Sequence, residues 1–406
     1  MIDGPGCTIL VTDAGRGSAV SIIRSLGRRG HRVVAVDSAP MSPGFRSRYT
    51  AARAVAPDPG SRPDDFAEAI ARAVARHGVD LVVPVTEEAI LALATGPGRT
   101  GAGTSVAVAS ETALATVRDK WATVELAARL GVPYPRTNLV TPSDDIIHAA
   151  DGIAYPLVIK PRHSRLLRDG RIEAFAVAYA ADQYELRGRL DSLIGQTDVL
   201  VQELIPGEGH GIELCMQDGE PIAAFQHHRL REVPVTGGAS SYREGVPLDP
   251  ELYRYAVDLL RELRWTGLAM VEFKVGPGGP RLMEVNGRVW GSLPLAIASG
   301  VEFGLLLPHV FLDQPEPAAE ESIGDYVPGI RSHDLGLELV WIGSVLRGRA
   351  RYPFLPLPPR RAAIPALLSL VDPRTRHDVF SADDPAPGLA DLVRVAGRMA
   401  TKVVHG

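Results

Sequence analysis

Cysteine is nearly absent from this sequence: among its 406 residues only Cys7 and Cys215 are cysteines, and neither belongs to a CxxC or cysteine–histidine spacing. Such sparse thiols argue against a disulfide scaffold and a zinc site, and they favour a reducing cytosol. Lysine and arginine nowhere form a block, and the net charge is −5. Nucleic-acid binding is therefore not expected.

A long uninterrupted apolar run is also missing. The nearest approach, residues 292–312, contains two prolines, Glu302 and His309, and therefore predicts a buried helix with breaks, not a membrane span. The first residues carry Asp3 and no basic side chain before Cys7, unlike a secretory signal. We expect a cytoplasmic chain with no membrane partner.

The pattern along the chain changes three times. Residues 1–112 alternate short apolar strands with amphipathic helices, which predicts a doubly wound, Rossmann-like α/β domain. Residues 113–202 add a linker helix and a small α+β module, and residues 203–315 are patterned as an antiparallel sheet with helices on one side. Residues 316–406 are too irregular to assign, so a lid, a dimer contact and a substrate-binding cap all stay open.

A β-hairpin is predicted in residues 270–288, where two alternating strands flank the turn Gly-Pro-Gly-Gly-Pro. If the strands pair symmetrically about this turn, Val275 faces Arg281 and Glu272 lies directly opposite Glu284. Two facing carboxylates repel each other and destabilise a hairpin. A divalent cation such as Mg²⁺, which prefers oxygen ligands, removes that penalty. The acidic pair therefore predicts a metal site.

Two further polar residues follow Glu284 at a spacing of two. Asn286 and Arg288 are expected on the same face of the strand as Glu284, because side chains alternate between the two faces. That face then carries two acids, an amide oxygen and a guanidinium. Such a surface suits a metal ion bound together with phosphate.

Phosphate contacts are predicted elsewhere, although no GxxxxGK[ST] motif occurs and a P-loop is thereby excluded. Lys120 begins a helix and Lys160 ends an apolar strand, where a lysine can project over a groove. The alternative for each is an ordinary solvated lysine. Residues 161–171 form a basic turn, which is either a loop that closes over a triphosphate or an exposed hairpin tip.

An apolar strand at residues 199–203 breaks into a connector that contains Pro206 and Gly207. Backbone groups freed at such a break can bond the edge of an adenine. An acid just beyond can hold ribose hydroxyls, and Glu208 and His210 are available for that contact. The alternative is an ordinary linker between domains.

Taken in order, these elements resemble the ATP-grasp superfamily, in particular carboxylate–amine ligases with carbamoyl-phosphate-synthetase-like ATP-binding modules. The resemblance covers about residues 8–310 and rests on Asp119-Lys120, Lys160-Pro161, the segment 202–207, and Glu272 with Glu284-Val285-Asn286-Gly287-Arg288. It implies an ATP-grasp fold in which residues 113–202 include the small ATP-binding lid subdomain and residues 203–315 form the catalytic subdomain.

The resemblance also implies roles for single residues. Glu272, Glu284 and Asn286 would hold one or two Mg²⁺ ions, with Mn²⁺ as an alternative. Arg288 would stabilise the transferred phosphoryl group, although Gly287 replaces a proline found in many relatives and leaves the backbone before Arg288 less rigid. The residues expected to contact ATP are Lys120, Lys160, Gln202, Glu203, Leu204, Ile205, Glu208 and Lys274.

The first strand–helix connection, Ala14-Gly15-Arg16-Gly17-Ser18-Ala19, partly matches a dinucleotide-binding pattern, and Asp37 ends the next strand. Val20 replaces the third glycine, but an NAD-dependent oxidoreductase stays a rival hypothesis. In ATP-grasp ligases a similar domain contributes to the acceptor pocket. The candidate substrate-binding residues in this domain, all just after predicted strands, are Gly15, Arg16, Thr86 and Glu87.

A basic segment with a glycine pair lies between two predicted strands of the catalytic sheet. Arg229 and Arg231 suit recognition of a carboxylate, and Gly238 indicates close approach of a ligand to the backbone. We predict a catalytic role for Arg229, and substrate contacts for Arg231, Gly238 and Ser240. The alternative is a basic surface loop. Histidines 227 and 228 are not expected to share a metal, because neighbours in a strand point to opposite faces.

The predicted function is that of a free-standing ATP-dependent ligase that forms a C–N bond between a small-molecule carboxylate and an amine, with amino acids or small peptides as substrates in biosynthesis. Transfer of the γ-phosphoryl group would give an acyl phosphate, which the amine attacks. A carbamoyl-phosphate-synthetase-like or biotin-carboxylase-like carboxylating enzyme and a non-catalytic nucleotide sensor are alternatives. A homodimer stays open.

Overall fold

A computed structural model describes residues 6–95, 103–142, 148–235, 237–314, 323–348, 352 and 354–404. Within these ranges a parallel sheet is followed by largely antiparallel sheets, which is the mixed α/β and α+β class that the sequence predicts. The domain boundary predicted between residues 315 and 316 lies outside the described residues. None of the described helices is both long and apolar enough to cross a membrane.

The N-terminal sheet is parallel, with strand order β3-β2-β1-β4-β5. Its strands are β1 (Thr8–Val11), β2 (Arg32–Asp37), β3 (Thr50–Val55), β4 (Leu81–Val83) and β5 (Ser105–Val106). The helices around it are α1 (Gly17–Arg28), α2 (Pro63–His77) and α3 (Glu87–Thr95). β1 and β4 are apolar and buried because helices cover the sheet, as parallel sheets require. β3 is absent from the prediction because its Thr-Ala-Ala-Arg-Ala-Val sequence lacks an apolar run.

A linker of two helices, α4 (Glu111–Arg118) and α5 (Lys120–Leu130), leads to the small sheet. The Asp119 carboxylate caps α5 by accepting hydrogen bonds from two backbone amides of its first turn. The small sheet has the order β10-β7-β11-β6. Its elements, with a separate hairpin of β8 and β9, are β6 (Thr137–Val140), β7 (Leu157–Pro161), β8 (Arg165–Arg168), β9 (Arg171–Ala174), β10 (Ala178–Ala180), α6 (Gln183–Leu193) and β11 (Val199–Glu203).

The large sheet has seven strands in the order β16-β15-β12-β13-β14-β17-β18. Its strands are β12 (Glu208–Gln217), β13 (Glu220–Val233), β14 (Ala239–Gly245), β15 (Gly267–Gly276), β16 (Gly279–Asn286), β17 (Arg331–His333) and β18 (Thr375–His377). The helices of this part are α7 (Pro250–Glu262), α8 (Leu293–Ala298), α9 (Phe303–Leu312), α10 (Leu335–Arg347), α11 (Ala363–Ser369) and α12 (Pro385–Val404). The apolar segment 292–312 is thus two buried helices with a break.

Two apolar cores hold the large sheet in place. α7 packs on one face, where Ile212, Leu259 and Phe273 share a core. α8 and α9 join the other core to the N-terminal sheet, so that Ile22 of α1 and Phe303 of α9 belong to one cluster. The N-terminal and large sheets are therefore held by a common core, which fixes the loops at the end of β4 relative to the large sheet.

The C-terminal extension completes the large sheet and then returns to the N-terminal domain. β17 pairs with β14, and β18 extends the sheet by one further strand. The following segment places Asp384 against α1, where its carboxylate accepts a 3.0 Å hydrogen bond from the buried Arg24 guanidinium. Asp384 also accepts from Ser47 and from the backbone amide of Arg48. The extension thus ties the two ends of the chain together.

Candidate active site

Two acids face each other on the β15–β16 hairpin. Glu272 and Glu284 are direct cross-strand partners, as the sequence predicts, although the pairing nearer the turn differs. Val275 faces Pro280 and not Arg281, because the turn is tighter by one residue. A bulge beside Glu272 then restores the predicted pairing of the acids.

Asn286 links the two acids. Its side-chain amide lies 2.9 Å from Glu272 Oε1 and 3.0 Å from Glu284 Oε1. Burial raises the pKa of Glu272, even though Arg229 opposes that shift. Burial acts on Glu284 in the same direction, but the charges of Lys120 and Lys160 outweigh it and lower the pKa of Glu284. The acids therefore sit in unequal environments, with cations grouped around Glu284.

Three lysines surround these acids. Lys120 at the start of α5, Lys160 near the end of β7 and Lys274 on β15 come from three different parts of the chain. The Lys120 ammonium donates a 2.7 Å hydrogen bond to Ser164 Oγ, and that of Lys274 lies 3.5 Å from the Ile205 carbonyl oxygen. Burial lowers the pKa of Lys160 to about 8, although Glu284 opposes the shift. Among the described residues, no carboxylate lies within 4.0 Å of any of the three ammonium groups.

A cavity of about 50 Å³ lies beside this cluster. Arg288 lines it together with Glu284, Lys120 and Ser164, so the guanidinium predicted at this site is present there. Glu87, the first residue of α3, also lines the cavity and forms a 3.2 Å ion pair with Arg118. The N-terminal domain thus contributes an acid to the wall of the site.

The donor set fits Mg²⁺ and a polyphosphate. Two carboxylates meet here and accept hydrogen bonds from one amide side chain. Carboxylate and amide oxygens are the ligands that Mg²⁺ selects. The three lysines lack close carboxylate partners, and buried cations normally have them. A bound polyanion would supply the missing negative charge. We therefore treat the cluster as a candidate site for a metal–nucleotide complex.

The basic turn after Lys160 forms the β8–β9 hairpin, which packs against the N-terminal domain. Arg165 makes a 2.6 Å ion pair with Glu88, next to Glu87 in the cavity wall. The backbone amide of Ile172 donates a 2.7 Å hydrogen bond to the Gly60 carbonyl. These contacts hold the hairpin over the edge of the candidate site.

The predicted adenine contacts lie where β11 ends. Leu204 and Ile205 belong to the connector between β11 and β12, outside both strands. The Glu203 backbone amide bonds the Arg136 carbonyl at 2.9 Å. The buried Gln202 side chain donates to Thr137, so its amide is already engaged within the small sheet. The connector at Leu204 and Ile205, and not the Gln202 side chain, is therefore the candidate for the adenine contact.

The predicted ribose contacts are not brought to the site. Glu208 pairs with Val275 and His210 pairs with Phe273, whereas the neighbouring Gly211 pairs with Glu272. Because directly paired residues share a face of a sheet, Glu208 and His210 lie on the face opposite to the acids. The sequence prediction missed this alternation because it treated the residues after Pro206 and Gly207 as a connector, whereas β12 already begins at Glu208.

Arg229 lies at the acids and is already paired. Its guanidinium is buried, lies 2.5 Å from Glu272 Oε1 and donates to the Gly238 carbonyl and to Glu232. A side chain on Gly238 would collide with the Val233 carbonyl, so this position needs glycine for the backbone itself. The basic segment expected between two strands belongs to β13 as far as Val233.

Two neighbouring predictions differ from the structure. Arg231 forms a 2.6 Å ion pair with the buried Glu338 and donates to Ser369, both in the C-terminal extension. The Arg231 guanidinium is therefore engaged by the fold and is not free to recognise a substrate carboxylate. Ser240 Oγ lies 3.4 Å from the Tyr242 carbonyl at the start of β14, and the described contacts do not link it to the acids.

Other residues of the chain fill the space beside the glycine-rich connection before α1, where a dinucleotide would bind. The Gly15 amide donates to the Asp37 carboxylate, the acid that a dinucleotide ribose would need. A side chain on Gly17 would meet Asp378 of the C-terminal extension. These contacts argue against the dinucleotide hypothesis. Gly15 and Arg16 lie on the same edge of the parallel sheet as Thr86, whose hydroxyl donates to Asp13.

A buried polar pair on the catalytic face was not predicted from the sequence. Glu213 Oε1 lies 2.9 Å from His227 Nδ1 and accepts a 2.6 Å hydrogen bond from Ser292. Gly211 leaves room for the His227 ring, since a side chain there would collide with it. The sequence feature that could have indicated this pair is an acid between two apolar residues, Ile212-Glu213-Leu214.

A parallel N-terminal sheet, a small sheet that bears Lys160, and a large sheet whose β15–β16 hairpin carries paired acids are together typical of the ATP-grasp architecture. Comparison with known proteins agrees with this class. Residues 196–327 match the family described as "ATP-grasp in the biosynthetic pathway with Ter operon". The fold is that of ATP-grasp proteins, and residues 196–327 carry the match to an ATP-grasp family.

The similar proteins are amide-forming and carboxylating enzymes by name. The ribosomal protein bS6–L-glutamate ligase of Shigella boydii is 29% identical over 182 residues, which are 43% of this chain and only 57% of that protein. The crystal structure of an L-amino acid ligase from Bacillus licheniformis has a TM-score of 0.57 at 17% identity and covers 80% of this chain and 78% of that one. An ADP complex of N5-carboxyaminoimidazole ribonucleotide synthetase has a TM-score of 0.64 at 14% identity, over 91% and 97%.

Proposed function

We propose that this chain is a cytoplasmic, ATP-dependent carboxylate–amine ligase that joins amino acids or small peptides through an acyl phosphate. The observation that carries the proposal is the convergence of Glu272, Glu284 and Asn286 below three lysines that have no close carboxylate partner. Phosphoryl transfer needs such an arrangement, because catalysis there is mostly positioning and charge neutralisation.

Each residue has a stated task in this reaction. Lys120 and Lys160 bind the triphosphate from the side of the small sheet, and the connector at Leu204 and Ile205 offers backbone groups to the adenine. Bound Mg²⁺, held by Glu272, Glu284 and Asn286, would neutralise charge on the phosphates. Arg288 stabilises the charge that develops when the phosphoryl group moves to the substrate carboxylate.

The substrate side is formed jointly by two domains. Glu87 lines the cavity and can attract the substrate amine, while Arg118 beside it limits the local negative charge. The β8–β9 hairpin covers the edge of the site through Arg165 and Glu88. Exclusion of water matters here, since an acyl phosphate hydrolyses readily. The names of two relatives, a protein–glutamate ligase and an L-amino acid ligase, support amino acids as the first substrates to test.

The test is a product assay with Mg-ATP and pairs of amino acids or peptides. We expect ADP, phosphate and amide in equal amounts, and no AMP. With ¹⁸O in the donor carboxylate, one label appears in the released phosphate, because that oxygen leaves with the phosphoryl group. AMP and pyrophosphate, or unlabelled phosphate in a reaction that makes amide, would overturn the mechanism.

The same assay separates the alternatives. Phosphate release that depends on bicarbonate and not on an amino acid indicates a carboxylating enzyme. A stable phosphorylated product without free phosphate indicates a kinase. A nucleotide sensor binds ATP, seen as a raised melting temperature, but yields no product with any pair. An oxidoreductase shows that shift with NADH and not with Mg-ATP.

A further inference from the structure

A second cluster of metal-ligating side chains lies away from the candidate active site. Glu208, His210 and His228 each offer one ligand atom, and these three atoms lie within 4.8 Å of one another. Glu208 and His210 belong to β12, and His228 belongs to β13. We propose that these residues bind one divalent transition metal ion of the Zn²⁺ class.

The position follows from strand pairing. His210 and His228 are direct partners across β12 and β13, and their rings stack with centroids 4.8 Å apart. Gly209, between the two β12 ligands, points to the other face, where a side chain on it would meet Arg229 of the active site. The cluster is therefore separated from Glu272 and Glu284 by the thickness of the sheet.

One of the three ligand pairs already has the spacing of a bound site, and small rotations of the side chains would bring in the third. Glu208 Oε2 already lies 3.1 Å from His228 Nε2, and ligands at about 2.0–2.2 Å from a tetrahedral zinc ion lie roughly 3.3 Å apart. Glu208 is exposed and free to adjust, while the two histidines are partly buried. The Gln226 side-chain nitrogen lies 3.3 Å from His210 Nδ1, while its oxygen accepts from the Asp249 backbone amide, so binding of a metal ion to either nitrogen of this ring breaks the contact with Gln226.

The donor set selects the class of metal. Imidazole nitrogen suits Zn²⁺, Cu²⁺, Fe²⁺ and Ni²⁺, whereas Mg²⁺ and Ca²⁺ prefer sites made of oxygen alone. Two imidazoles and one carboxylate leave a coordination position for water. The site would also join β12 to β13 just after the connector at residues 204–207. A metal ion there cross-links the strand that follows the proposed adenine contact.

This site was not predicted from the sequence, because zinc binding was judged from cysteine spacing. The two cysteines argue against zinc, and the adjacent histidines 227 and 228 do point to opposite faces, as strand alternation predicts. His228 instead meets His210 from the neighbouring strand, eighteen positions earlier in the sequence. Only the register of β12 against β13 brings the three ligands together.

The test is a Zn²⁺ titration of the untagged full chain by calorimetry, in millimolar MgCl₂ and ADP so that the oxygen site is occupied. We expect one Zn²⁺ per chain and a higher melting temperature with Zn²⁺. Replacing either histidine, in His210→Gln or His228→Gln, should weaken binding at least tenfold and remove the thermal shift. Glu208→Gln, which changes an exposed side chain, gives the same readout if a histidine variant fails to fold.

Matched controls distinguish this site from others. His148 lies 3.0 Å from Asp151 on the surface but has no second imidazole, so His148→Gln should bind Zn²⁺ like the unmodified chain. Glu284→Gln should also bind it normally, because that acid is on the other face. The proposal is overturned if the unmodified chain binds Zn²⁺ no better than the three ligand variants. It is equally overturned if Glu284→Gln removes the bound ion.

Discussion

At the scale of single residues, the acidic pair on the hairpin dominates the chemistry. The Glu272 and Glu284 carboxylates are linked by the Asn286 amide and surrounded by cations, an arrangement that is costly without a ligand. The Arg229 guanidinium forms an ion pair with Glu272 Oε1 at a distance of 2.5 Å. These residues are therefore expected to contribute to turnover and little to the stability of the fold.

The first prediction concerns Glu284. Glu284→Gln should lower kcat by about 100-fold or more, because removal of one charge-stabilising group typically has that effect. The metal-free fold should survive or gain stability, since the repulsion between the acids is gone. ADP release and thermal unfolding measure the two effects. Glu220→Gln, an exposed carboxylate on the same sheet, is the control, and unchanged activity in Glu284→Gln would contradict the site assignment.

The second prediction concerns Arg288, which lines the cavity beside Glu284. If its guanidinium acts on the charge that develops during transfer, Arg288→Ala should lower kcat much more than it raises the KM for ATP. Steady-state kinetics separate the two parameters. Arg281→Ala, which removes a guanidinium that donates to the Gly278 and Pro280 carbonyls of the turn, should change neither. A pure KM effect would make Arg288 a nucleotide-binding residue.

At the scale of elements, Gly211 on β12 leaves the space that the His227 ring on β13 fills. The third prediction is that Gly211→Ala destabilises the protein by about 1–3 kcal/mol, because the new methyl group overpacks the buried His227 ring. Gly343 in α10 has open space around it, so Gly343→Ala should stabilise by about 0.5–1 kcal/mol. Chemical denaturation compares the pair. Equal changes in the free energy of unfolding in the two variants would mean that the His227 ring moves away from the new methyl group without cost.

A second element-scale feature is the histidine pair between β17 and β18. His333 Nε2 lies 2.6 Å from His377 Nδ1, and burial, His377, Arg243 and Arg231 together lower the pKa of His333 to about 3. Below a pH of about 6.5 the unfolded chain takes up a proton at this residue and the folded chain does not. The stability that neutral His333 contributes is therefore present above pH 6.5 and lost as the pH falls.

The fourth prediction follows from this loss of stability at low pH. Between pH 7 and pH 5 the free energy of unfolding should fall by up to about 2 kcal/mol through His333. His333→Gln should flatten this part of the pH dependence, whereas His148→Gln, at an exposed position, should not. Denaturant unfolding at several pH values measures the slope. A parallel slope in His333→Gln would show that other groups cause the acid sensitivity.

At the scale of the whole molecule, the C-terminal extension joins both ends of the chain. Asp384 is buried, and it accepts hydrogen bonds from Arg24, Ser47 and the Arg48 backbone amide. This contact fixes the N-terminal domain, and with it the Glu87 side of the candidate site, relative to the large sheet. The extension is thus part of the framework that holds the active site.

The fifth prediction tests this framework. Asp384→Ala should destabilise the protein by about 3 kcal/mol, because it leaves the buried Arg24 charge without its partner. The neighbouring Asp383 is about 42% exposed and pairs with Arg28, so Asp383→Ala should cost less than about 1 kcal/mol. Denaturant unfolding compares the variants. Similar losses would show that the buried contact is not the main tie between the domains.

The sequence by itself determined the elements that carry the chemistry. Strand alternation paired Glu272 with Glu284 and placed Asn286 on their face, because local pairing in a hairpin depends on residues close in the chain. The same local patterns predicted the doubly wound N-terminal domain and a buried, broken helix in residues 292–312. Lys120 and Lys160 were found from their positions at element ends.

Only the tertiary structure decided which distant residues meet. The register of β12 against β15 moved Glu208 and His210 to the far face, and a shift of one residue would have reversed that result. The contact of Arg231 with Glu338 and the closure of Gly17 by Asp378 join segments more than a hundred residues apart. Such contacts depend on packing of whole elements, and no local pattern in the sequence specifies them.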